Sequence, residues 1–168
     1  MMDAKGLHDG QRLAIELACG KLPLLFAKFA DEGDSDAMGQ LFTPDCVFSR
    51  PFQPDWTFHG RAAVEGIFRN RPPILVRHVV TNVLVEAISE TRARGTNYLT
   101  MLSSHKSVQP PQEAGALYVG GFEDEYVLDQ SVPGGVWRFS KRAGMVALHL
   151  GGTMPVIPPP SDEMRGLA

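Results

Sequence analysis

The sequence has little that would staple, anchor or electrify it. It holds two cysteines among 168 residues, Cys19 and Cys46, too few and too far apart for a disulfide framework or a zinc site, so free core thiols are expected. No apolar run is long enough to span a bilayer, since "LPLLFAKFA" (residues 22–30) is short and broken by Lys28. No positive excess appears either. The formal net charge is −3 and no Lys/Arg-rich run occurs, which argues against nucleic acid as a partner. The polar start "MMDAKGLHDGQ" does not read as a secretory signal, and a cytoplasmic location without membrane association is expected. The motifs of common cofactor and metal sites are also missing. There is no HExxH, no paired CxxC, no phosphate loop and no dinucleotide fingerprint, and Gly120-Gly121 stands inside a strand pattern. No metal and no organic cofactor are expected.

What remains is a hydrophobic content of 43% in a chain long enough for one core and too short for two. Residues 9–30 read as a helix with Leu13, Leu17, Leu24 and Phe26 among its apolar positions, kinked or divided by Gly20 and Pro23 and stopped at Gly33. A second short helix enters through Asp34 or Ser35 and leaves at Thr43-Pro44, followed by a strand from about Cys46. "GRAAVEGIFRNRPP" (60–73) is a third helix closed by Pro72-Pro73. After Pro73 the period changes to two, and strands are predicted over 74–87, 92–105, 116–128 and 135–148. Helices first and antiparallel strands after them predict an α+β domain over residues 1–150, with an irregular tail over 151–168.

The order of "ADEGDSDAMGQLFTPDCVF", "GRAAVEGIF", "RHVVTN", "GGFEDEYV" and "GGVWRFSKR" resembles the SnoaL-like branch of the nuclear transport factor 2-like superfamily, over about Gln11 to Leu148. The resemblance implies a cone: a curved antiparallel sheet wrapped against three N-terminal helices, with an apolar pocket between them. Homodimers through the outer sheet face are common in such proteins. Their activities range from polyketide cyclases, ketosteroid isomerases, scytalone dehydratase and a dehydrochlorinase to small subunits of ring-hydroxylating dioxygenases and members without catalysis, so the fold alone does not fix function.

Strict alternation places Val76, His78, Val80, Asn82 and Leu84 on one face of the first long strand, the expected pocket face. His78 falls where the resemblance places an active-site histidine, and an imidazole suits proton transfer near neutral pH. Such a base needs a carboxylate to fix its tautomer. Ungapped alignment puts the dehydrochlorinase's first-helix aspartate on Leu25 and scytalone dehydratase's on Asp31, which leaves Asp31 either as the partner of His78 or as a helix-end residue bonded to local amides. Arg142 matches an arginine that stabilises an anion in the dehydrochlorinase; its alternative is a salt bridge to Asp124. Asn82, His105, Tyr126 and Phe26 complete the set of expected ligand contacts. For each there is a plainer role: Asn82 as a buried amide, His105 as a rim residue, Tyr126 and Phe26 as packing. Two functions follow. One is a cofactor-independent lyase or isomerase acting on a small hydrophobic, aromatic or polyketide-like molecule. The other is a non-catalytic binder or dioxygenase small subunit, favoured by the lost acid at Leu25.

Overall fold

In the computed structural model, which describes residues 6–104, 109–111, 113–151 and 160–167, helices and strands segregate along the chain. Helix α1 spans Asp9–Glu32, α2 Ser35–Gly39 and α3 Arg61–Arg69. Strands β1 (Phe42–Arg50) and β2 (Gln53–His59) separate α2 from α3, and β3 (Leu75–Ser89), β4 (Arg92–Ser104), β5 (Ala116–Asp129) and β6 (Val136–Leu150) follow. A single turn, α4 (Asp162–Arg165), lies in the segment read as irregular from sequence. It starts at Ser161, whose hydroxyl accepts from the Met164 N–H, and Arg165 Nε donates to the Thr57 carbonyl of β2.

The sheet is unclosed and runs β2-β1-β6-β5-β4-β3. The four long strands β3 to β6 pair antiparallel as expected, whereas β1 joins β6 in parallel, which makes the sheet mixed. Strand β2 was not foreseen from the sequence, and it contains Pro54, which cannot donate to a ladder. Its place at the sheet edge resolves that objection.

Helix α1 is continuous over 24 residues despite Gly20 and Pro23. His8 and Gln11 close a reciprocal cap at its start, and Gly33, at φ 72°, ends it in the left-handed conformation that favours glycine. Pro23 is buried, so packing of the helix on β3 offsets the one backbone bond that proline removes. The inward stripe is Ile15, Cys19, Leu22, Phe26 and Ala30, while Leu13, Leu17 and Leu24 lie on the outer face. Three of the four apolar residues read as marking this helix therefore lie outward, and only Phe26 among them faces the core.

The core is a phenylalanine cluster. Phe26 makes edge contacts with Phe42, Phe122 and Phe139, and Phe42 packs edge-on against Phe48. Against it lies the inner sheet face, where Gly120 of β5 stands close to the backbone of β6. A β-carbon there would sit 2.0 Å from the Met145 carbonyl oxygen, at a register shift between β5 and β6. Gly120, which carries no β-carbon, is thus what lets these two strands approach.

Candidate active site

A cavity of about 790 Å³ opens between the inner sheet face, α3 and α4. Phe26, Phe48, Phe68 and Phe122 wall it, together with Leu99 and Met101. His78 faces this space from β3, opposite Met101 of β4.

The structure brings His78 and Asp31 together across 47 positions of sequence. Asp31 is the next-to-last residue of α1, which packs on β3, and each of its carboxylate oxygens engages the same residue. Oδ2 accepts from the His78 backbone N–H at 3.1 Å, and Oδ1 lies 2.5 Å from ring Nδ1. Both side chains are largely buried. A carboxylate oxygen only accepts, so it holds the ring proton on Nδ1 and leaves Nε2 as the free nitrogen. Leu25, where sequence alignment located a missing acid, is 36% exposed and does not line the cavity.

Three other expected contacts lie elsewhere. Asn82 is exposed, because β3 breaks its alternation there: Asn82 takes φ 51°, and Asn82 with Val83 stands opposite Asn97 alone. Beyond this bulge the inward residues are Val83, Val85 and Ala87, so parity counted from His78 fails after Val80. Arg142 is fully buried beneath the cavity and does not line it. Its Nη1 donates to Asp124 Oδ2 at 2.6 Å, and its guanidinium lies 3.7 Å from the Phe122 ring centre. Burial drives the Asp124 carboxyl up and the Arg142 guanidinium down from their ordinary pKa values, and the attraction between them opposes both shifts. Tyr126, also buried, donates to Asp124 Oδ2 at 3.1 Å, and Asn97 Nδ2 donates to the same oxygen. This network belongs to the core. Phe26 lines the cavity, and His105 lies outside the described residues.

Sequence reading missed two arginines. Arg50, the last residue of β1, and Arg71, after α3, both line the cavity. Arg71 Nη2 donates to the Ala30 carbonyl at 2.6 Å, one residue from Asp31. Burial lowers the Arg71 pKa while the Asp31 carboxylate pushes it back up; burial also lowers that of Arg50, and there the charge of Arg71 adds to the effect. Their shared signal was proximity to proline, in "RPF" and "RPP". Nothing in that pattern says which way a loop side chain turns.

Comparison with known proteins places this geometry in context. The SnoaL-like domain family matches residues 11–143. Similar structures include a candidate scytalone dehydratase from Novosphingobium aromaticivorans (17% identity, 90% of this chain and 97% of that chain covered, TM-score 0.74). A hexachlorocyclohexane dehydrochlorinase from Novosphingobium barchaimii is also similar (20% identity, 91% and 100% covered, TM-score 0.70). So is a candidate aromatic ring hydroxylase from Novosphingobium aromaticivorans (20% identity, 83% and 94% covered, TM-score 0.65). At these identities the likeness establishes the fold. A sequence search found no match among curated proteins. With the family's match running from α1 into β6, the chain belongs to the SnoaL-like domain family.

Proposed function

We propose that the protein is a cofactor-independent lyase or isomerase whose general base is His78. The observation that supports this most directly is the His78–Asp31 pair at the wall of an apolar cavity. In this reading Nε2 takes a proton from a carbon acid and the ring becomes an imidazolium beside the Asp31 carboxylate. Returning that proton to a departing hydroxyl completes a dehydration; returning it to another carbon completes an isomerisation. The phenylalanine walls keep water from the charged ring, which strengthens each polar contact inside. Arg142 takes no direct part, because Asp124 and three aromatic rings enclose it.

The argument for a non-catalytic module rested on Leu25, and Asp31 supplies the carboxylate that Leu25 was thought to have lost. The reading includes a homodimer. Val79, Tyr98, Met145 and Leu148 are between 49% and 67% exposed on the outer sheet face, and apolar side chains grouped on one face suit an interaction surface. Light scattering should give twice the 18.4 kDa chain mass. The catalytic reading is tested by screening small aromatic and polyketide-like carbon acids for turnover with wild type and His78→Ala. Turnover should vanish in a variant with an unchanged circular dichroism spectrum; retained turnover would refute the mechanism.

A further inference from the structure

We propose that the ligand of this cavity carries a carboxylate on a hydrophobic body, and that Arg50 is the residue that recognises it. This rests on the reading of the cavity as the ligand site. Among the described residues, the lining includes Arg50 and Arg71 and no aspartate or glutamate. Arg71 has a carbonyl partner at Ala30 and the opposite charge of Asp31 close by. Arg50 has neither: no described residue forms a hydrogen bond, ion pair or ring contact with its guanidinium. A chain with 19 carboxylates and a net charge of −3 offers a surface arginine many partners, yet this one faces an apolar space unpaired.

The local chain explains how it comes to be there. Arg50 shares strand parity with Phe48, which also lines the cavity, and it pairs with Gln53 across the β1–β2 turn at a register shift. An arginine stays protonated under these conditions, so burial and the neighbouring charge of Arg71 disfavour the empty site without discharging it. An anion relieves both. A planar guanidinium matches a carboxylate through two parallel N–H donors, which selects for that group over a neutral amide. Two further polar residues line the same space: Gln53 and Ser103 are 7% and 3% exposed, and Gln53 Oε1 and Ser103 Oγ have no hydrogen-bond partner. The Ser103 hydroxyl can donate to a second oxygen. The charge that selects the ligand is local, because the protein as a whole repels anions.

The test uses matched probes, 2-naphthoate and 2-naphthamide, titrated calorimetrically into the full chain. Wild type should bind the carboxylate about 10- to 100-fold more tightly than the amide, the range for a charge-assisted hydrogen bond in a dry site. Arg50→Met should bring the ratio close to one while amide affinity is kept, and Arg50→Lys should restore part of the preference. His78→Ala should leave the ratio intact, so loss of turnover and loss of carboxylate preference report separately on the base and on Arg50. Equal affinities in wild type, no carboxylate binding at all, or a preference that survives in Arg50→Met would each overturn the proposal.

Discussion

Replacing Asp31 with asparagine preserves the side chain's size and removes its charge, which isolates what the carboxylate does for His78. In the wild type, one oxygen holds the His78 backbone N–H at 3.1 Å and the other stands 2.5 Å from Nδ1. Asparagine keeps the first contact through its carbonyl oxygen and presents an amide N–H₂ at the second. A donor there requires Nδ1 to accept, so the ring proton moves to Nε2 and the base becomes a donor. The side chains of His78 and Asp31 are only 8% and 14% exposed, so solvent screens this loss little. Stability should fall by about 1.5–3 kcal/mol, the range for a hydrogen bond to a charged group. Turnover through His78 should fall by roughly 10³- to 10⁴-fold, since the wrong tautomer combines with an uncompensated imidazolium; at ~1.4 kcal/mol per decade this is on the order of 4–6 kcal/mol of barrier. Long-range ¹H–¹⁵N correlation spectra read the tautomer without any substrate, and with five histidines in the chain the His78→Ala spectrum assigns the signal. A wild-type His78 carrying its proton on Nε2, or an Asp31→Asn variant with an unchanged tautomer, would refute the reasoning.

Arg142→Met strands the Asp124 carboxylate in the core and should cost about 3–5 kcal/mol in urea unfolding, while the Asp124→Leu/Arg142→Met double variant recovers most of it. A loss under about 1 kcal/mol in the single variant would contradict the buried pair. Asn82→Val should lower stability by about 1–2 kcal/mol because a β-branched residue resists the left-handed backbone, whereas Asn82→Gly should be close to neutral in thermal melting. Burial pushes the Cys19 and Cys46 thiols up to about 12, so native protein at about pH 8 should not react with an aromatic disulfide reagent, and both thiols should titrate once it is unfolded. Since only the unfolded thiols ionise just above their ordinary value of 9.0, stability should decline as pH rises from 9.0 toward about 12.

The parts legible in the sequence are those governed by local physics. The strands after Pro73, the turn at Glu90-Thr91, the cap at Asp34 and the stop at Gly33 each depend on a few neighbouring residues. What sequence reading missed depends on long-range packing. Strand β2 tolerates Pro54 only because the sheet places it at an edge, and Pro23 argued for a kink until β3 covered the helix. His78 was visible because an imidazole among valines is chemically conspicuous, and Asp31 because the resemblance to scytalone dehydratase aligned that enzyme's aspartate with it. Arg50 and Arg71 were not, since an arginine near a proline has no preferred direction until the loop is folded. Arg142 was seen with both of its roles in view, and the distance to Asp124 decides between them.

The bulge at Asn82 gives β3 two alternation phases in one strand. The phase before it is fixed by Asp31 and carries Val76, His78 and Val80 inward; the phase after it is fixed by α1, where Val83 and Val85 lie closest to Gly20. Deleting Asn82 would remove the extra residue and let β3 alternate without a break, with His78 still facing the cavity and Val83 and Val85 still facing the helix, whereas a deletion elsewhere in the strand would turn one half over. The bulge therefore acts as a register buffer: it absorbs one surplus residue between the half that presents the histidine and the half that seats the helix, so neither face is turned over.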